Sequence, residues 1–337
     1  MDNTIKPIAI HLPQFHPTPE NDEWWGKGFT EWTNVTKAKP LFDGHFQPRL
    51  PADLGFYDLR ISEVRIAQAE LAKKYGIYGF CYWHYWFGNG QRLLDRPAKE
   101  VLKAGHPDFP FCFAWANQSW SGIWHGLEGK ILIEQQYPGY DDDVKHFYEV
   151  LPYFHDKRYV RHQGKPVFAF YRTFDHPYLD KFIETWQELA ALEGLPGIFF
   201  LGISYTTKHN FANLDGLILH QSGMGKKNLN IVDKVFKKTV KYYPYELMNR
   251  YLYNCQVFSF KEMIKDTWNE PLRPNEFPTI LPGWDNTPRS GNRGKVFHDF
   301  TPELFGEHVK KVVSLIKDRD NTLCFIKSWN EWAEGNY

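Results

Sequence analysis

The chain has 337 residues, enough to bury a large core, and its hydrophobic content of 42% is that of an ordinary globular protein. Forty basic and forty acidic side chains give a formal net charge of zero, so no basic field draws in nucleic acid or an anionic membrane. No run approaches the ~18 apolar residues of a membrane-spanning helix. The unusual figure is the aromatic content, 18%, with 13 Trp, 19 Tyr and 27 Phe. Flat apolar faces with polar edges suit stacking on sugar rings or bases; a core built from large residues is the plainer use of them.

The first fifteen residues, MDNTIKPIAIHLPQF, hold no basic stretch ahead of an apolar one. A secretory signal is therefore not expected, and the predicted location is the cytoplasm, at most at a membrane surface. KPIAIHL is the first of eight β-rich runs. The others are GIYGFCYW near residue 80, PFCFAW near 113, PVFAFY near 169, GIFFLGI near 200, DGLILH near 218, TILPGW near 281 and TLCFIKSW near 325. Most are continuously apolar, as strands buried on both faces are. Helical patterns lie between them. Arg60 to Tyr75 ends at Gly76, DDDVKHFYEVLPYF opens on three aspartates that favour a helix N-terminus, and YLDKFIETWQELAALEG ends on a glycine. TPELFGEHVKKVVSLIKDR starts with a Thr cap and a Pro in the first turn.

Eight strands alternating with helices predict a (β/α)8 barrel, a single α/β domain over residues 1–337 with long loops after the strands. An open doubly wound sheet is the rival, and no G-x-G-x-x-G follows any strand to support its nucleotide-binding form. The longest insertions are Pro13 to Leu59 after strand one and Gln221 to Pro278 after strand six. The second contains the one basic segment, Gly225 to Tyr245, read as a solvated helix face or a dock for an acidic polymer or lipid-linked substrate. Cys81, Cys112, Cys255 and Cys324 have no zinc-motif spacing and are expected to be buried free thiols.

Barrel active sites form at the C-terminal ends of the strands. Strand one leads into His11, Gln14, His16, Trp25, Glu31 and Trp32, and strand two into Trp83, His84, Tyr85 and Trp86. Strand three leads into Trp115, Asn117, Gln118 and Trp120, strand four into Tyr171 and Arg172, and strand six into His220 and Gln221. Strand seven leads into Trp284, Asp285 and Arg289, and strand eight into SWNEWAEG, which holds Trp329, Asn330, Glu331 and Glu334. One His at a strand end is most often a core residue. The whole set predicts a polar cleft with aromatic walls. Glu331 and Glu334 would be neighbours on a helical turn. Close carboxylates in an apolar setting push their pKa values apart, so one holds a proton while the other is ionised, as in glycosidic bond cleavage. A solvated acidic pair at a helix start is the other reading. His11, His16, His84 and His220 could form a metal cluster, but no H-x-H or H-E-x-x-H supports one, and no metal or other cofactor is expected. No G-x-S-x-G elbow or phosphate loop is present.

The stretches IAIHLPQFHP, WWGKGFTEW, YGFCYWHYWF, FAWANQSW and SWNEWAEG resemble the WbsX-like proteins of bacterial polysaccharide loci. Those proteins are similar to the family 99 glycoside hydrolases, the endo-α-mannosidase group. The resemblance covers nearly the whole chain. It implies a barrel without a metal, action on α-glycosidic bonds of a bacterial surface polysaccharide, and retention of anomeric configuration. It also implies that Glu331 assists the sugar 2-hydroxyl, giving a 1,2-anhydro intermediate, while Glu334 is the acid/base. The sequence ends at Tyr337, soon after the motif, so the eighth barrel helix is expected to be missing. The WbsX branch is also described as glycosyltransferase, which implies a nucleotide-sugar or lipid-linked glycan as partner. A glycan-binding module without activity is a third reading.

Overall fold

The computed structural model describes residues 4–122, 131–205, 213–220, 255–320 and 322–337. Eight parallel strands close on themselves: Lys6–His11, Gly79–Trp86, Phe111–Trp115, Lys165–Phe170, Phe199–Ser204, Gly216–Leu219, Glu276–Ile280 and Leu323–Ile326. Each pairs with the next in chain order, and strand one pairs with strand eight through Ile8 and Phe325. Closure leaves no unpaired edge. This is a (β/α)8 barrel.

The register sets which side chains face inward. Side chains alternate along a strand, and laterally paired residues share a face. Ile8, Cys81, Cys112, Val167 and Phe325 fall on the inner set; Phe80, Phe111, Phe168 and Ile280 fall on the outer set. Both sets are buried, which is why the strands read as unbroken apolar runs. The outer layer packs Phe168 and Phe170 against Phe182 and Trp186 of the helix Leu179–Leu192, with ring centroids 4.9 to 5.6 Å apart for Phe168–Trp186 and Phe170–Phe182.

Helices Ser62–Lys74, Arg96–Ala104, Tyr140–Phe154, Leu179–Leu192 and Pro302–Ile316 lie between successive strands. The last begins as its sequence dictates: Thr301 Oγ1 accepts from Leu304 N, with Pro302 in the first turn. The helix Arg96–Ala104, which buries Pro97 and Val101 with Ala98 and Leu102 packed beside them, is not among the helical patterns read from the sequence. The insertion after strand one carries two short helices, Pro19–Trp25 and Glu31–Lys37. The insertion after strand six is described from Cys255, where Gln256–Ser259 pairs with Lys295–His298 and the helix Phe260–Asp266 follows. The basic segment Gly225 to Tyr245 and Gln221 lie outside the described residues. All four cysteines are buried free thiols. Among the described residues no helix is long and apolar enough to cross a membrane.

Candidate active site

After Ile326 the chain keeps one more sheet bond, Lys327 N to Ile280 O at 2.8 Å, and then turns. Ser328 Oγ accepts from Glu331 N at 3.1 Å and is bonded to Asn336. Asn330 grips strand one: Leu12 N donates to its Oδ1 at 2.7 Å, and its Nδ2 donates to Leu12 O at 2.9 Å. Trp332–Glu334 forms one tight turn, with Glu334 N donating to Glu331 O at 2.9 Å. Gly335 closes it at φ +63°, where a Cβ would stand 2.7 Å from Asp285 Cβ. The two tryptophans anchor the turn from outside: Trp329 packs on Phe80, and Trp332 on Trp32 and Tyr337. The two glutamates face the other way, into the mouth of the barrel.

Arg289, on the turn after strand seven, organises the charges there. Its Nη1 donates to Glu334 Oε1 at 2.7 Å, and its Nε and Nη2 lie 2.8 and 2.7 Å from Glu31 Oε1. The same Nη1 is 3.9 Å from Glu331 Oε2. Trp83 Nε1 donates to Glu331 Oε1 at 3.0 Å. Burial alone would raise the Glu331 carboxyl; the Lys327 and Arg289 cations, with hydrogen bonds from Trp83 and Glu334, outweigh it and hold the group below its ordinary value. Burial and the adjacent Glu331 charge push Glu334 up to about 7, against Arg289 and Lys327. The two carboxyls are thus pushed apart, Glu331 toward the ionised form and Glu334 toward the protonated one. Burial also raises Glu31, against the pull of Arg289.

The cleft around them is about 270 Å³. Gln14, Trp25, Glu31, Trp83, Tyr85, Gln118, Trp120, Tyr171, Trp284, Arg289, Glu331 and Glu334 all line it. Lys327 and Tyr205 line it too, though no motif singles them out. Strand parity finds both: Lys327 is two residues past inward Phe325, and Tyr205 two past inward Ile203. The Lys327 ammonium sits 5.5 Å from the Trp284 ring centre.

The remaining predicted residues stand elsewhere. His11 points outward, its Nε2 2.9 Å from Gln68 Oε1 on the helix Ser62–Lys74. His84 also points outward, its Nε2 2.8 Å from that of His146, and Trp115 donates to Trp86 O beneath the same helix layer. Trp32 donates to Tyr57 O inside the first insertion. Asn117 ties two loops: Arg172 N donates to its Oδ1 at 2.7 Å, and its Nδ2 donates to Arg172 O at 2.8 Å. The Arg172 guanidinium is exposed, lying against the Tyr171 ring at the rim. Asp285 is fully buried and takes hydrogen bonds from Gln47 and Thr287 and a contact from His45. His220 lies under the Tyr205 ring, and Trp329 and Asn330 support the turn from behind. His16 is buried in the first insertion. Among the described residues no three His, Cys, Asp or Glu side chains are grouped to hold a metal ion.

The profile of the family described as glycosyltransferase WbsX matches residues 7–337. The chain belongs to the WbsX family. Its curated relatives include the protein WxcX of Xanthomonas campestris pv. campestris, from two strains, each 34% identical over 332 residues. Those matches cover 97% of this WbsX-family chain, which spans about half, 46%, of the length of the relatives. Among solved structures, two of the family 99 endo-α-mannosidase from Bacteroides thetaiotaomicron align over all of this chain and 86% and 87% of theirs. Their TM-scores are 0.53 and 0.52 and their identities 15% and 16%. A glycoside hydrolase-like protein aligns with TM-score 0.54 and 12% identity over 91% of each chain. At such identities the likeness is one of fold, and the shared fold is the barrel of family 99.

Proposed function

We propose that this WbsX-family chain is a carbohydrate-active enzyme that breaks α-glycosidic bonds of a bacterial surface glycan with retention of configuration. The observation that carries the reading is the glutamate pair in a cleft walled by Trp25, Trp120 and Trp284, with Glu331 accepting from Trp83 and Glu334 from Arg289, and with the cations and burial there pushing the two carboxyls in opposite directions. In the first step Glu331 takes the proton of the sugar 2-hydroxyl and that oxygen attacks C1. The C1–O bond to the leaving group breaks as Glu334 gives that oxygen its proton. The product is a 1,2-anhydro sugar. In the second step Glu334 takes a proton from water as the water oxygen attacks C1, the C1–O2 bond opens, and Glu331 returns its proton to O2. Two inversions at C1 amount to retention.

A second reading is favoured by the family's description as glycosyltransferase. The same pair serves it if a sugar hydroxyl replaces water in the second step. The donor would then be a glycoside or a nucleotide- or lipid-linked sugar. The deciding experiment is a product assay on α-linked oligosaccharides with and without nucleotide-sugar donors, comparing wild type with Glu331→Gln and Glu334→Gln. Cleavage without donor, lost in both variants, supports hydrolysis. Extension only with a nucleotide sugar supports transfer. Glycan binding that survives both substitutions, with no turnover in any form, would make the barrel a binding module.

A further inference from the structure

Glu31 sits at the first position of the helix Glu31–Lys37, in the insertion after strand one, 258 residues from Arg289 in sequence. Only 2% of it is exposed. Two guanidinium nitrogens of Arg289, Nε and Nη2, converge on its single Oε1. The third, Nη1, is on Glu334. A carboxylate taking two N–H groups fixes the guanidinium plane, and that fixes where Nη1 points. Glu31 is itself set by local structure: Thr30 caps its helix in a reciprocal pair with Thr33, Glu31 N donates to Gln14 O, and Trp32 beside it is packed on Phe15 and Trp332.

We propose that Glu31 is a positioning residue for the strand-eight pair: by holding Arg289 from behind, it divides that cation between two carboxylates and keeps Glu334 able to carry its proton. The proposal rests on reading Glu334 as the proton donor. A cation serving one carboxylate alone would favour the ionised form strongly. Shared with Glu31, Arg289 supports the orientation of Glu334 with only part of its charge. The other charged or titratable groups facing Glu334 are Glu331 on the same turn, Lys327 from strand eight, Tyr85 from strand two and Tyr205 after strand five. Of these Glu331 also approaches Arg289, its Oε2 3.9 Å from Nη1, but none takes two of the guanidinium nitrogens as Glu31 does. The insertion after strand one is therefore tied to proton transfer as well as forming a wall of the cleft.

The test follows the Glu334 carboxyl by carbon-13 NMR in protein labelled at glutamate, with the signal assigned by its absence in Glu334→Gln. No substrate is involved, so the result is independent of whether the site hydrolyses or transfers. Glu31→Gln is expected to lower the Glu334 midpoint by about one pH unit. Glu31→Asp, which keeps the charge at a shorter reach, should fall between. Arg289→Gln should raise the midpoint, and in that background Glu31→Gln should have little further effect. A midpoint unmoved or raised by Glu31→Gln would overturn the proposal. So would an equal downward shift in the Arg289→Gln background, since Glu31 would then act without Arg289. If Glu31→Gln does not fold, the Glu31→Asp shift decides in the same direction.

Discussion

Strand two shows two regions of the molecule side by side. Trp83 and Tyr85 face the barrel mouth, whereas His84 and Trp86 face the helix layer. All four are aromatic or imidazole, and all are packed. The outward pair is closed into fixed protein partners: His84 meets His146, Trp86 donates to Asp142 Oδ2 at 2.9 Å, and burial drives His84 down to about 3. The inward pair borders charges that are paired but incompletely enclosed, and Trp83 donates to one of them. The same residue types thus make a locked layer of paired side chains on one side and border an acid pair on the other. Their facing decides this, more than their chemistry.

The sharpest way to separate the two regions is to remove one group from each. Glu334→Gln should lower kcat by about 10²–10⁴-fold while leaving the unfolding midpoint nearly unchanged. In wild type the rate should fall as pH rises through about 7, when Glu334 gives up its proton, and as pH falls far enough to protonate Glu331. Trp115→Ala, on the outer side, should do the opposite, destabilising by about 3–5 kcal/mol in denaturant titration with the activity of the folded fraction kept. Loss of comparable activity in that folded fraction would break the comparison. Trp83→Phe keeps the ring and removes the donor to Glu331; roughly a tenfold loss of kcat and a rise of the acidic limb are expected. The smallest effect concerns the outer histidines. The unfolded chain takes up protons below pH ~6.5, while buried His84 resists them down to about 3. His84 should therefore contribute a drop in stability on the order of 1 kcal/mol per pH unit below 6.5, added to that of the other buried histidines, and His84→Gln should make the slope of urea midpoints between pH 4 and 7 shallower by about that amount.

The barrel strands were legible because each is buried on both faces and so reads as one apolar run. The glutamate turn was legible because glutamates interleaved with tryptophans suit neither a packed core nor a solvated loop. Facing was harder. His11, His84 and Trp115 stand at strand ends with the right chemistry, but on the outer parity, which only the pairing register fixes. Asp285 misleads for a different reason: its partners His45 and Gln47 are 240 and 238 residues away, and no local pattern announces them. Lys327 is hidden because one lysine after an apolar run looks like a strand end reaching solvent.

Gly335 sets a spacing. It lies against Asp285, whose backbone N donates to Glu334 O at 2.7 Å, and four residues on is Arg289. A methyl group at residue 335 would need roughly 1 Å more room to reach ordinary carbon contact. That displacement would pass into the turn that carries the guanidinium, and misplacements of about 1 Å can cost 10²-fold in rate. A related chain could therefore retain both glutamates and the arginine and still be a poor catalyst, through one added carbon at a position that never touches a sugar.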